Sequence, residues 1–192
     1  MKAEPVPVDK DGKVFLDATK TILTPLWNAY HFFTLYANAG NVNATEMLNP
    51  TNPLDKYILA ELNMLTDIVR AALTEYKPDV AVKEFVRFLD ILNNWYIRRG
   101  RARFWNEEQD AFDTLYTVLT RFCRVLAPFA PFISEYIYTN LTGDKSVHLT
   151  SFPETVATDT KIVDDMRRVQ MIVSTGKQLR EQYKLRNRLP LN

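Results

Sequence analysis

The feature that most restricts the fold of this 192-residue chain is the helical spacing of its apolar side chains. Leu26, Tyr30, Phe33 and Ala37 follow the interval of about 3.6 residues that places side chains on one helix face. The same interval recurs in four later segments: 54–76, 79–104, 107–126 and 159–184. The chain has only 5 glycines, which disfavours glycine-rich β architectures. We therefore predict an all-α fold, an antiparallel helical bundle.

The breaks in this periodicity divide the chain into three parts. Residues 1–13 are charged and interrupted by prolines, which predicts an extended lead-in. Residues 14–145 are predicted to form the bundle, with a loop at 38–52. Residues 146–192 are predicted to be an exit segment and the start of a C-terminal region. In that last part, Ser146–Phe152 is the one plausible strand, a weak one, and a polar helix is appended after it.

One helix start has a clear signal in the sequence. Asn52 can cap the helix N-terminus, and Pro53 fits the first helical position. The negative charge of Asp55 suits the positive end of the helix dipole.

The sequence contains no recognisable catalytic or metal-binding group. Cys123 has no partner for a disulfide, which fits a reducing compartment, and its apolar surroundings predict a buried side chain. His31 and His148 are far apart, and the glycines are too scattered to form a phosphate-binding loop. No apolar run is long enough to span a membrane, and residues 1–13 lack the apolar core of a secretory signal. We expect no catalysis, no metal and no membrane insertion.

Positive charge is concentrated in two segments. Residues 95–105 (WYIRRGRARFW) contain Arg98, Arg99, Arg101 and Arg103 and no acid. Residues 167–188 contain seven basic residues, Lys184, Arg186 and Arg188 among them, and a single acid, Glu181. Guanidinium groups pair with phosphates, and aromatic rings stack on bases. The first segment therefore predicts a surface that binds a polyanion with flat bases, as nucleic acids have.

The spacing of the arginines predicts how they are oriented. Six residues follow one another at intervals of four and three: Phe85, Leu89, Leu92, Tyr96, Arg99 and Arg103. An apolar face thus becomes cationic in its last two turns, so Arg99 and Arg103 should project past the end of the core. Arg98 and Arg101 lie on an adjacent face and are expected to be solvated or paired within the protein. In the alternative interpretation, acids elsewhere pair with the arginines, or they form a solvated helix end.

The same residues carry a resemblance to a known family. Asn94–Trp105 (NWYIRRGRARFW) resembles the signature of the anticodon-binding domain of isoleucyl-tRNA synthetases. Further segments are similar to that domain in the same order: Pro25–Asn38, Leu54–Leu65, Ala127–Glu135, Ser146–Glu154 and Arg180–Leu191. Valyl and leucyl relatives share the bundle, but the valyl motif lacks the series of arginines. Gly100 stands where the family leads us to expect serine, and glycine weakens a helix.

The resemblance implies a function and its partners. The family ligates isoleucine to tRNA with ATP and Mg²⁺, and its catalytic motifs are absent here, so we expect this chain to bind tRNA(Ile), need no cofactor and be inactive alone. Its other partners would be the catalytic and C-terminal domains of the same polypeptide, in a cytoplasmic monomer.

Residue by residue, the resemblance points to Asn28 and Trp105 as contacts to anticodon bases, because an amide can read a base edge and an indole can stack on one. The basic residues expected to contact tRNA are Arg98, Arg99, Arg101, Arg103, Lys184, Arg186 and Arg188. The alternatives are that Asn28 caps or bridges helices and that Trp105 packs in the core. For the whole chain, the alternatives are a helical scaffold for protein–protein interactions and the equivalent valyl or leucyl domain.

Overall fold

Helices account for nearly all the regular structure of this chain. The computed structural model describes residues 17–47, 49–155 and 160–186. The α-helices in these ranges are α1 (Thr24–Ala39), α2 (Pro53–Thr74), α3 (Pro78–Asp90), α4 (Arg98–Trp105), α5 (Gln109–Leu126), α6 (Pro131–Thr142) and α7 (Thr160–Gln182). The described residues contain no β-strand, and the prediction of an all-α fold is confirmed.

Local chemistry sets several helix ends where the sequence predicts them. The side chain of Asn52 accepts a hydrogen bond from the backbone N–H of Leu54 at 2.9 Å, which confirms Asn52 as the N-cap of α2. Pro53, Pro78 and Pro131 each begin a helix, where a missing N–H costs nothing. Helix α6 ends at Gly143, whose φ of 74° lies in the left-handed region.

Helix α5 forms the centre of the bundle. It contacts α1, α2, α4 and α6, and its buried side chains lie on most of its circumference. Aromatic rings fill much of the core around it. Phe122 stacks on Phe88 and meets Phe85 edge to face, while Phe112 meets Phe104 edge to face. This packing joins α3 and α4 to the same central helix.

Helices α3 and α4 form one continuous helical run through a π-helical segment. The segment Ile91–Ile97 has backbone hydrogen bonds that span five residues instead of four. A second π-helical segment, Thr19–Leu23, leads directly into α1. The prediction that the third helix reaches Phe104 is confirmed, since α4 ends at Trp105. Gly100 does not interrupt this helix.

The segment after α6 differs from the prediction. Ser146–Phe152 does not form a strand; residues Val147–Leu149 form a short 3₁₀ helix. The Glu135 carboxylate explains this turn, because it accepts hydrogen bonds from the Ser146 hydroxyl at 3.0 Å and from the Val147 N–H at 2.8 Å. In a strand, these groups would need hydrogen-bond partners on a neighbouring strand. Here the side chain of Glu135, on helix α6, is their partner instead.

Helix α7 lies against α2 through its first half only. Val163 is buried, Ile162 and Met166 are half-buried, and Gln170 Nε2 donates to the Tyr57 hydroxyl at 2.9 Å. Beyond Gln170 most side chains are exposed, Ile172 among them. Across the described ranges, no helix has the length and apolar character that a membrane span requires. The predicted lead-in, residues 1–13, lies outside the described residues.

Candidate nucleic-acid interface

The π-helical segment changes which residues of α4 face the core. Phe85, Leu89, Leu92 and Tyr96 are buried, as their spacing predicts. After the segment the buried positions are Gly100 and Phe104, and Arg99 is exposed. A π turn contains more residues than an α turn, so the buried face arrives one residue later than regular helical spacing predicts.

Arg103 does not project freely from the bundle, contrary to the prediction. Its Nη1 and Nη2 donate to the two carboxylate oxygens of Asp55 at 2.7 and 2.8 Å, and its Nε donates to Glu108 at 2.8 Å. The side chain of Asp55 is fully buried, and that of Arg103 is 13% exposed. The planar guanidinium matches a carboxylate in two parallel hydrogen bonds. The alternative interpretation, pairing with an acid elsewhere in the chain, therefore holds for Arg103.

Tyr96 completes this buried network. Its hydroxyl donates to Asp55 Oδ1 at 2.8 Å. Burial, followed by the nearby negative charge of Asp55, raises the pKa of Tyr96 well above its ordinary value, so the phenol stays protonated and keeps donating. The Asp55 carboxylate raises the pKa of Arg103. Asp55 lies in the first turn of α2, where its charge suits the helix dipole as predicted, and it also holds α4 against α2.

An open depression lies between α1 and the continuous helical run of α3 and α4. Asn28, whose amide is predicted to contact a base, lines it together with two of the arginines. Its volume is about 310 Å³, and its lining is Asn28, Phe32, Asn93, Ile97, Arg98 and Arg101. Arg98 and Arg101 are exposed, and neither forms an ion pair within the described residues. Of the two predicted states for these arginines, the structure shows the solvated one. No carboxylate lines the depression, so its positive charge is not neutralised locally.

Asn28 faces solvent from the first turns of α1. Its side chain forms no hydrogen bond within the part of the chain that is described, so the alternative in which it caps or bridges helices does not hold there. Phe32 and Asn93 line the same depression but were not predicted as site residues. Phe32 lies four residues after Asn28, on the same face of α1, and that spacing was the available signal. Asn93 lies in the π-helical segment, where regular helical spacing gives no reliable orientation.

Arg99 and Trp95 form a stacked pair on the surface of the same run. The Arg99 guanidinium carbon lies 3.9 Å from the centre of the Trp95 ring, which is within the range of a cation–π interaction. Arg99 is exposed, as predicted, but away from the lining of the depression.

Trp105 is 73% exposed at the end of α4, so the alternative in which it packs in the core is wrong. Its ring meets Tyr36 of α1 edge to face, with 6.5 Å between the ring centres. A large exposed indole beside a cationic surface can stack on a base.

The basic C-terminal segment is separate from the depression. Lys184 and Arg186 are exposed just beyond the end of α7, and neither lines the depression. Lys184 has a φ of 54° in the turn that ends α7, where the Leu185 N–H donates to the Arg180 carbonyl at 2.7 Å. Arg188 lies outside the described residues.

Comparison with known proteins finds a matching domain family and several similar proteins. A family model described as the anticodon-binding domain of tRNA ligase matches residues 55–192. Isoleucine–tRNA ligase of Leifsonia xyli subsp. xyli is 42% identical over 183 residues, covering 91% of this chain and 16% of the relative. The corresponding ligases of Wolbachia pipientis wMel and Protochlamydia amoebophila are 34% and 39% identical, covering 96% and 100% of this chain.

The chain spans only 17% and 19% of the lengths of these last two relatives, so it corresponds to a small part of each. The match to the family model covers most of the described bundle, from the buried Asp55 of α2 onward. The chain belongs to the family of anticodon-binding domains of tRNA ligases.

Proposed function

We propose that this chain binds the anticodon stem-loop of a tRNA at the depression between α1 and α4. The observation that supports this most is the convergence of Asn28, Arg98 and Arg101 on one open surface without a carboxylate. Two unpaired guanidiniums suit the phosphates of a loop, and an unpaired amide suits a base edge. The exposed Trp105, on the same helix as the two arginines, provides a ring for stacking.

We propose further that the tRNA is tRNA(Ile) and that the parent protein is a cytoplasmic, monomeric isoleucine–tRNA ligase. The names of the relatives reported above support isoleucine over valine or leucine. Under this proposal, the reaction with ATP and Mg²⁺ takes place in the remainder of the polypeptide, and this chain alone is inactive. Lys184, Arg186 and Arg188 would contact phosphates elsewhere on the tRNA.

The test is a binding titration with a fluorescent anticodon stem-loop of tRNA(Ile), repeated over a series of salt concentrations. The chain should bind this hairpin more tightly than a hairpin with the same stem and a scrambled loop. In the double variant Arg98→Ala/Arg101→Ala, the slope of log K against log[salt] should fall by about 1.4 to 1.8 units, because each phosphate contact contributes about 0.7 to 0.9.

A charge-matched control is available at the start of the same helical run, at its N-cap Lys77 and at Lys83 of α3. Lys77→Ala/Lys83→Ala removes two exposed cations whose partners are Glu75 and Asp79. Lys83 precedes Arg98 by about 20 Å along the helix axis, at about 1.5 Å per residue. This variant should retain the wild-type slope. Equal slopes in both double variants would contradict the proposed site, and equal affinity for the two hairpins would contradict anticodon recognition.

A further inference from the structure

We propose that Asn93 is a specificity-determining residue of the depression, where its side-chain oxygen accepts a hydrogen bond from an N–H group of one RNA base. The inference rests on the proposed function and adds to it the polarity of the group that the depression selects. It depends on the orientation of the Asn93 amide, on the lack of a partner for its oxygen, and on the chemistry of the surrounding walls.

Two backbone carbonyls fix the orientation of the Asn93 amide. Its Nδ2 donates to the carbonyl oxygen of Leu89, one turn earlier, at 2.9 Å, and to that of Pro25 on α1 at 3.2 Å. Both partners are acceptors only, so rotating the amide by 180° would place its oxygen against two other oxygens. The two carbonyl partners therefore identify the bonded atom as Nδ2, and Oδ1 is the atom that can bind a ligand.

The oxygen that remains has no donor within the described residues. Asn93 is half-buried and lines the depression, so this oxygen is reachable from solvent at a fixed position. Asn28 differs in this respect. Its amide is exposed and makes no hydrogen bond in the described chain, so it can rotate to offer either an acceptor or a donor. Discrimination between bases therefore comes from Asn93, which can present only an acceptor to the depression.

The depression has a size and a lining that suit a single nucleotide. Its volume of about 310 Å³ is near the lower end of the range for small-ligand sites, about 300–1,000 Å³. Phe32 and Ile97 provide apolar surface for the flat faces of a base, while Arg98 and Arg101 provide positive charge for its phosphate. A base that presents an amino or ring N–H group to Asn93 gains a hydrogen bond. A base that presents a carbonyl oxygen there is disfavoured, because two acceptor oxygens repel each other and form no hydrogen bond.

The experiment removes single N–H donors from the RNA. Anticodon stem-loops of tRNA(Ile) are prepared with one loop nucleotide replaced at a time: purine riboside for adenosine, inosine for guanosine, 3-methyluridine for uridine and 2-pyrimidinone riboside, which lacks the 4-amino group, for cytidine. At one position, donor removal should weaken binding to the wild-type chain by about 2- to 12-fold, the equivalent of one hydrogen bond of about 0.5 to 1.5 kcal/mol. The same replacement should have no effect on binding to Asn93→Ala.

Two further variants separate recognition from folding. Asn93→Thr retains a hydrogen bond to the Leu89 carbonyl, as Thr66 does to Leu62 and Thr117 does to Asp113, but withdraws the acceptor from the depression. It should lose the same sensitivity as Asn93→Ala. Asn94→Ala is the matched control, because Asn94 is exposed, lies outside the depression and bonds to Asp90. It should keep the wild-type pattern.

The outcomes distinguish this inference from the function on which it rests. If the wild-type chain binds the stem-loop specifically but no donor removal has an effect that Asn93→Thr abolishes, Asn93 does not determine specificity and the proposed function stands. If the wild-type chain does not distinguish the stem-loop from the scrambled hairpin, both the proposed function and this inference are wrong.

Discussion

Arg103 of α4 and Asp55 of α2, which are 48 residues apart in the chain, form a two-bonded ion pair inside the bundle. The contact lies within one turn of Arg101 and two residues before Trp105. It attaches the cationic helix to the core while leaving Arg98 and Arg101 unpaired. The four arginines of the sequence motif thus have different roles: one is structural, one stacks on Trp95, and two face the depression.

Breaking this ion pair should destabilise the domain strongly. Arg103→Ala leaves the Asp55 carboxylate buried with Tyr96 as its remaining side-chain donor. We expect the free energy of unfolding to fall by about 3–5 kcal/mol, the usual cost of leaving one charge of a buried ion pair without its partner. Urea denaturation followed by far-UV circular dichroism measures this change.

The neighbouring arginine is the control for that prediction. Arg99→Ala removes an exposed guanidinium whose contact is with Trp95, and it should cost no more than about 1 kcal/mol. In addition, the double variant Arg103→Ala/Asp55→Ala should lose less stability than the sum of the losses in the two single variants, because neither charge of the pair is then left without its partner. Additive effects, or similar losses for Arg99 and Arg103, would contradict a buried ion pair.

The sequence predicts the helices well but not the orientation of the cationic side chains. Helix positions follow from local signals such as the Asn52 cap and the apolar spacing of Phe85 and Leu89, which one chain segment contains by itself. The position of Arg103 depends on a partner 48 residues away and on the π-helical segment Ile91–Ile97. Neither has a clear sequence signature, so regular helical spacing assigned Arg99 and Arg103 to one exposed face.

The depression shows the same division between local and long-range information. Three of its lining residues are among the predicted tRNA contacts: Arg98 and Arg101 from the basic segment, and Asn28 through the resemblance to the family. Its exact composition could not be predicted, since the contact from Asn93 to the Pro25 carbonyl is made across 68 residues. The prediction of a weak strand at Ser146–Phe152 is wrong for a related reason: the Val147 N–H and the Ser146 hydroxyl donate to the Glu135 carboxylate of the preceding helix.

Replacing Trp105 should weaken tRNA binding without changing its dependence on salt. The indole is 73% exposed and touches only the edge of Tyr36 among the aromatic rings of the described chain, so Trp105→Ala should fold normally. If the ring stacks on a base, its loss costs about 1–3 kcal/mol of binding free energy. The salt slope should stay constant because no phosphate contact is lost. Fluorescence anisotropy with the labelled stem-loop measures both quantities.

Phe132 provides a comparison for Trp105. It is 89% exposed on α6 and lies outside the depression. Phe132→Ala should bind the stem-loop as the wild type does. A reduced salt slope for Trp105→Ala, or an equal loss of affinity for Phe132→Ala, would argue against stacking by Trp105.

The burial of Tyr57 on α2 should make stability sensitive to alkaline pH. Burial, followed by the nearby charge of Glu61, raises the pKa of Tyr57 from 10.0 to about 12. Between these values the folded chain holds a proton that the unfolded chain has released. The contribution of Tyr57 is therefore complete below pH 10 and is lost as the pH rises to about 12. The expected slope is about 1.4 kcal/mol for each pH unit.

The variant Tyr57→Phe isolates this effect from the other tyrosines. It loses the hydrogen bond from Gln170, which lowers stability by a similar amount at every pH below 10. Its stability should then fall less steeply than that of the wild type between pH 10 and 12. Denaturant titrations at intervals of half a pH unit compare the two curves, and parallel curves would show that Tyr57 titrates normally.

Replacing Gly100 with alanine should stabilise the domain. Gly100 is buried in the middle of α4, and an added Cβ would approach the Phe104 ring at 3.5 Å, an ordinary van der Waals distance. Alanine restricts the unfolded chain and favours the helix, so Gly100→Ala should raise the free energy of unfolding by about 0.5–1 kcal/mol. Gly143→Ala is the comparison with the opposite sign, because its φ of 74° is unfavourable for any residue with a Cβ. Thermal and urea denaturation of both variants decide the matter: a loss of stability in Gly100→Ala would mean that α4 cannot accept a side chain at this position.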